Sequence, residues 1–293
     1  MSRVAEIEVG IKGTSELQNI IQAMRSLAGM RLRDAQQSVP GIRSYASIIA
    51  DGIADTLIMT ADAPAGRGGN HGSGPTAIVV CASEHGFVGG FNDRIVEAVL
   101  KSLKPDDRLF VLGSRGTALF EEHGHPTSWS GPMATRPAAV SSSVNELARE
   151  LFLRIARGEI RRIDAVFSVS RPGGEMTIRH TPLLPLDPSV WKTRRPRQAP
   201  LHNMGPRDLL EQLTEEYVVA LLTEAAVESI AAENAARLAA TEAADHNISR
   251  MLSRLRQDAR QARQSEITTE IVELVTGAAV AEEGSRERRH HPT

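Results

Sequence analysis

The sequence is poor in several things that particular functions require. It has one cysteine, Cys81, in 293 residues, which excludes an intramolecular disulfide and any zinc site built from several thiolates. Aromatic residues make up 3% of the chain, as six Phe, two Trp and two Tyr, too few for a base-stacking platform or an aromatic sugar groove. Charge of one sign is also missing. The 34 basic and 36 acidic residues leave a net charge of −2, so no overall basic surface exists to grip nucleic acid. No apolar run approaches the roughly 18 residues of a membrane span. The opening MSRVAEIEVGIKG lacks the apolar segment of a signal peptide. Hydrophobic residues are 41%, enough for a core. A soluble, cytoplasmic protein of about two structural units is expected, with no nucleic-acid partner and no direct insertion into lipid.

Glycine and proline are absent between Arg207 and Thr276, and this stretch carries the clearest periodicity. Ala231, Leu238, Asp245, Leu252 and Ala259 stand seven apart, with Asn234, Thr241, Ile248, Leu255 and Ala262 as a second row. The pattern predicts one helix over 207–281, far longer than the usual 10–14 residues. A seven-residue spacing marks a seam packed along another helix. Residues 1–60 supply the candidate partner, because Ile21, Ala28, Ala35, Ile42 and Ile49 hold the same spacing. An antiparallel pair follows. Pro40-Gly41 interrupts the first seam and predicts a kink or break, since proline removes a donor and clashes one turn back. Charge along the second helix is segregated. Glu211 through Asp245 is acidic and opposed by Arg237 alone, whereas Arg250 through Arg263 is basic and opposed by Asp258. Such an order matches the helix macrodipole, or a shaft that enters surroundings of different potential.

The middle, 75–200, alternates strand and helix patterns. TAIVVCAS (76–83) and RLFVLGS (108–114) read as buried strands. Asn92–Leu103, Gly116–His123 and Ser143–Ala156 read as helices, the last capped by Ser143 or Asn145. Strands at 165–171 and 175–185 are joined by Pro172-Gly173-Gly174, a hairpin signal. A small open α/β sheet of Rossmann-like kind fits. The Gly-rich 63–75 and the basic, proline-interrupted 192–200 read as mobile loops, and 282–293 as a disordered tail.

Candidate chemistry is thin. SEHGFVGGFND (83–93) is a Gly-rich loop between strand and helix, where backbone amides can cradle phosphate. It lacks the fingerprint spacing, and a tight turn is the better reading of Gly86, Gly89 and Gly90. GSRG (113–116) is equally short. His123 and His125 have too few partners for a metal site, and the tail pair His290-His291 adds none. Cys81 sits in a strand as a small apolar residue. No catalytic residue, cofactor or metal is predicted.

Three blocks decide the family. LQNIIQAMRSLAGMRLRDAQ (17–36) resembles the N-terminal helix of the gamma subunits of F-type ATP synthases. SEHGFVGGFN (83–92) with GSRG (113–116) is similar to that family's S-D-R-G-L-x-G-x-x-N loop and following G-x-[KR]-G. RQARQSEITTEIVELVTGAAVA (260–281) is similar to its C-terminal A-R-Q-x-x-I-T-x-E-x-x-E-I-x-x-G-A. The resemblance spans nearly the whole chain to Ala281. It implies an α/β protein in which an antiparallel coiled coil of the N- and C-terminal helices carries the inserted α/β domain. It implies a rotor shaft without an active site of its own. The implied partners are a hexamer of alpha and beta subunits, an epsilon subunit and a membrane ring of c subunits. The implied location is the cytoplasmic face of the inner membrane.

Matched position by position, Arg263, Gln264 and Thr268 fall on residues that bond the beta-subunit catch loops. Met24, Arg31 and Arg33 fall on a coil face turned to a beta subunit, with a solvated helix face as the alternative for the arginines. Gly86, Gly89, Gly90 and Asn92 preserve the loop fold. Glu16, Asn19, Gln22, Arg25, His85 and the stretch His202–Pro206 depart from the family pattern and point to a divergent branch, such as an alternative ATPase. A free-standing nucleotide-binding or regulatory protein that dimerises through its coil is the alternative from another class.

Overall fold

The computed structural model describes residues 3–60, 74–171, 176–186 and 202–289. The elements run α1 (Arg3–Thr60), β1 (Thr76–Cys81), α2 (Phe91–Ser102), β2 (Arg108–Leu112), α3 (Ser114–Glu122), β3 (Trp129–Gly131), a 3-10 turn (Pro137–Ala139), α4 (Val140–Ala156), β4 (Arg162–Ser170), β5 (Met176–Leu184) and α5 (Pro206–Arg289). The Gly-rich 63–75 and the basic 192–200 expected as loops, the turn Pro172–Gly174 and the pair His290-His291 lie wholly or almost wholly outside the described residues. Among the described residues, no helix is long and apolar enough to cross a membrane.

The described chain forms two compact units. One joins the described parts of Met1–Met24 and Thr241–Thr293. Its core is Ile21, Ile248 and Leu252, with Ile11, Met24 and Ala244 around them. Hydrogen bonds fix the register there, since Gln18 donates to Asp245 at 3.0 Å and to Ser249 at 2.9 Å. Glu8 pairs with Arg263 further along. As the number rises on α1 it falls on α5, so the two helices of this unit run antiparallel.

The second unit is Arg25–Ala240. Its sheet has the order β3-β2-β1-β4-β5. β1 runs parallel to β2 and β4, β2 parallel to β3, and β5 antiparallel to β4. Every residue of β1 is buried, as a central strand covered on both faces must be. Ala77, Val79 and Cys81 face a core with Phe110, Leu147, Leu151 and Ile163, joined by Ala35 and Val39 of α1 and Val218–Ala231 of α5. Ile78, Val80 and Ala82 face the other side, with Phe91, Ile95 and Val99 of α2 and Phe120 of α3. Pro182 sits in β5 opposite a register shift at Ile163/Asp164. A proline there marks an edge strand that owes no further ladder bonds.

Local expectations and structure part at four places. α1 is helical straight through Pro40, where a kink or break was expected. Pro40 and Gln36, whose carbonyl loses its donor, are both exposed, so water can serve that carbonyl, while the neighbouring Ala35 and Val39 are buried. α4 begins at Val140 without a side-chain cap. The 3-10 turn opened by Pro137 leads straight into it, which displaces Ser143 and Asn145 from the capping role. β3 and that turn had no sequence signal. α5 continues to Arg289, past the Ala281 at which the periodicity ends, over a stretch expected to be disordered. Glu and Arg outnumber Gly284 there, and no proline occurs before Pro292.

The long seams are buried in part, with Ile42, Leu238, Asp245, Leu255 and Ala262 only half-buried. Ile21, Ala28, Ala35 and Ile49 are 0–6% exposed, and Asn234, Thr241, Ile248 and Leu252 are 1–8% exposed. Asn234, a polar member of the rows, is satisfied one turn back by donating to the Ile230 carbonyl at 2.8 Å, whereas Asp245 is satisfied from α1 by Gln18. Arg43 further ties α1 to α5 through Glu224 at 2.7 Å and Glu228 at 2.6 Å.

Candidate functional site

Three regions carry the residues singled out by the sequence. The first is the distal part of α5. Arg263, Gln264 and Thr268 are all exposed. The Thr268 hydroxyl donates to the Gln264 carbonyl at 2.8 Å, which leaves its oxygen free to accept. Around them Ile267, Ile271, Val272, Leu274 and Val275 are 56–74% exposed. An apolar row of this extent on a helix is unusual for a surface that faces only water. It can be covered by a collar of other protein, and the polar trio can fix orientation within it.

The second region is on α1. Met24 is half-buried against the Ile21–Ile248–Leu252 cluster, so it faces the helix pair as much as the outside. Arg33 is exposed. Arg31 is half-buried, its Nε is buried without a hydrogen-bond partner, and its charge acts on Glu233. Met24 lies in the smaller unit and Arg31 and Arg33 in the larger.

The third region is the loop after β1. Asn92 is buried and closes the loop, accepting from the Ser83 amide at 3.0 Å and donating to the Ser83 hydroxyl at 2.8 Å. Gly86, Gly89 and Gly90 line its turn, and Gly89 has φ +55°. Glu84 receives the Ser114 amide at 3.2 Å, the Met133 amide at 2.9 Å and the Ser114 hydroxyl. Burial would raise the Glu84 carboxyl, but these donors, with His85 close by, outweigh it and hold the group below the ordinary carboxylate range. A carboxylate thus already occupies the amino-terminal end of α3, the point where GSRG could have offered amides to a phosphate.

The crevice beyond the carboxyl ends of parallel strands is where open α/β sheets take ligands. Here α5 fills it. The buried Ser229 hydroxyl donates to the Cys81 carbonyl at 2.8 Å. Arg237 reaches the His85 and Gly86 carbonyls at 3.4 and 3.3 Å and pairs with Glu233 at 2.6 Å. Burial raises the Glu233 carboxyl against the opposing pull of Arg237 and Arg31. Glu84, Ser229, Glu233 and Arg237 were not recognised as site residues in the sequence. Only Arg237 left a trace there, as the lone base in an acidic stretch.

Other candidates have structural roles. Burial pushes the Cys81 thiol up to about 12, far from a reactive thiolate. His123 is bonded to the Leu119 carbonyl at 2.8 Å. Among the described residues, no group of three or more His, Cys, Asp or Glu could hold a metal ion.

Phe87, at the tip of the loop, is 66% exposed and has φ +61°. A bulky L-residue in that region is strained by roughly 1–2 kcal/mol. Phe87→Gly is expected to stabilise the chain by about 1 kcal/mol, read as a higher urea midpoint. A fall in the midpoint would mean that the ring has contacts worth more than the strain.

Comparison with known proteins places these features in one family. The model of the ATP synthase family matches residues 3–280. The ATP synthase gamma chain of Chlorobaculum tepidum is 25% identical, with 95% of this chain and 98% of that protein covered. The gamma chain of Prosthecochloris aestuarii is 26% identical over the same shares. Among solved structures, the rotor of the Euglena gracilis mitochondrial ATP synthase aligns with a TM-score of 0.58 at 12% identity, covering 90% of this chain and 98% of that one. The structural likeness is one of fold.

Proposed function

Because this chain belongs to the ATP synthase family, as a gamma chain, we propose that it is the central rotor shaft of an F-type ATP synthase and holds no active site of its own. Its two long helices form an antiparallel coiled coil, and the Rossmann-like α/β domain is inserted between them. The distal coil stands inside a hexamer of alpha and beta subunits. The α/β domain and the foot of the coil meet the epsilon subunit and the c ring, at the cytoplasmic face of the membrane. The observation that carries this reading is the exposed apolar row of α5 around Arg263, Gln264 and Thr268, which fits a protein sleeve and no small ligand.

The mechanism is differential contact. An asymmetric shaft touches three identical beta subunits differently, so each orientation favours a different distribution of open and closed nucleotide sites. Ion flow through the ring turns the shaft and cycles nucleotide affinity, and hydrolysis drives the reverse. Arg263, Gln264 and Thr268 hold the catch loops of beta. Met24, Arg31 and Arg33 belong to the coil face turned to the hexamer, where Arg31 acts partly through the network of Glu233.

The test is purification of a tagged chain from its native cell, followed by ATP hydrolysis assays. Recovery with alpha, beta and epsilon subunits is expected. Arg263→Ala with Gln264→Ala is expected to lower hydrolysis by roughly tenfold, the scale of one lost charge-assisted hydrogen bond. A chain recovered alone as a nucleotide-binding dimer would sink the rotor reading and promote the free-standing alternative. Occupation of the sheet crevice by α5 argues against that alternative.

A further inference from the structure

A rotor must carry torque between its α/β domain and its coil, and not every contact can do so. Apolar burial is non-directional. Hydrogen bonds fix register, and charged ones do so most strongly. At the junction between α5 and the loop after β1, Ala232 is buried with Val88 and Phe91, and Ala236 packs against them. An open pocket of about 290 Å³ beside them is lined by further alanines of α5.

The polar contacts at the same junction are dense. Arg237, 6% exposed, is anchored on α5 by Glu233 and reaches across to the His85 and Gly86 carbonyls. The next residue back, Glu84, then gathers the start of α3 through Ser114 and the segment after β3 through Met133. One short stretch, 84–86, therefore links α5 to the carboxyl ends of three parallel strands. Ser229 adds a bond to the end of β1 itself.

We propose that Glu84 and Arg237 form a polar pin that transmits torque between α5 and the sheet, which makes both positioning residues for coupled ATP turnover. The proposal rests on the rotor reading. Without the pin, the loop after β1 and the start of α3 can shift against α5 under load while the coil still turns within the hexamer. Hydrolysis then continues and ion transport per ATP falls.

The experiment uses the whole complex in membrane vesicles, with hydrolysis and ATP-driven ion uptake measured together by proton and sodium reporters. Glu84→Ala is expected to assemble, to hydrolyse ATP at a rate near that of the unmodified complex, and to lower the uptake-to-hydrolysis ratio by about twofold or more. Glu84→Gln, which can keep both backbone donors, is expected to restore most of the ratio. Arg43→Met breaks the ion pairs with Glu224 and Glu228 but lies off the pin, and is expected to lower stability without moving the ratio. An assembled Glu84→Ala complex with an unchanged ratio overturns the proposal, and so does an equal fall in Arg43→Met. If Glu84→Ala does not assemble, Ser114→Ala carries the test, because it deletes one bond to Glu84 and spares the core. An unchanged ratio in that variant overturns the proposal in the same way. Failure of the unmodified chain to join alpha and beta subunits would instead overturn the rotor reading.

Discussion

Arg237→Met is expected to destabilise the chain by about 3–5 kcal/mol, the usual consequence of removing one partner from a buried ion pair. The pair is buried on both sides, with Arg237 and Glu233 each 6% exposed. The guanidinium also serves the Asn234 side chain and the carbonyls of His85 and Gly86. Without it, burial of the Glu233 carboxylate is uncompensated except by the more distant Arg31. That carboxyl is already raised by burial, so the variant is expected to bind a proton there, and its deficit to shrink as the pH is lowered toward the Glu233 value. The double variant Arg237→Met with Glu233→Leu is expected to recover most of the loss, since no buried charge is then stranded. Urea titration followed by tryptophan fluorescence measures all three. If the double variant is as weak as the single one, the carbonyl contacts of Arg237 matter more than its ion pair.

Strand and helix positions in the α/β domain were legible wherever burial dictates composition. TAIVVC and RLFVL are apolar because β1 and β2 are covered on both faces. The seven-residue rows were legible for the same reason. Short elements were not. Trp129–Gly131 is a three-residue strand that exists because Phe110–Leu112 offers it a partner edge, and a partner twenty residues away leaves no local pattern. Pro40 misled because a local rule met a global constraint. The helix on either side is held by buried Ala35, Val39 and Ala46, and the missing bond falls on the wet side.

The site was legible only in part. The C-terminal residues Arg263, Gln264 and Thr268 were picked out through resemblance alone, and all three are exposed. The bonding of Glu84 left no trace in the sequence because its partners lie 30 and 49 positions away. Arg237 was visible as an exception in the charge pattern, but its purpose depends on a loop 151 residues back. A lone charge of the wrong sign on an otherwise uniform helix face signals a buried partner, and this chain is a case of it.

The glycines of the two loop motifs look alike in sequence, yet they are expected to respond very differently to alanine. Gly113 has φ +111°, and a Cβ there would lie 2.6 Å from the Ala82 carbonyl oxygen and 2.8 Å from that of Ser83. Both obstacles are backbone and neither can swing aside. Gly113→Ala combines a forbidden conformation with a clash, and a loss of about 3 kcal/mol or more is expected. Gly116 tolerates φ but not volume, because its Cβ would stand 2.3 Å from the Cβ of Ala82. Relief requires α3 to move off β1, which also pulls Ser114 away from Glu84. Gly90 meets nothing within 4 Å, so Gly90→Ala is expected to be nearly neutral. The same urea titration orders the three. A near-neutral Gly113→Ala would mean that the β2–α3 turn can reshape, and Glu84 would then have no fixed α3 terminus to hold. The expected order instead makes GSRG a packing motif. Its glycines let α3 start against the end of β1, close enough for a carboxylate of the chain itself to take the place that a phosphate takes in nucleotide-binding folds.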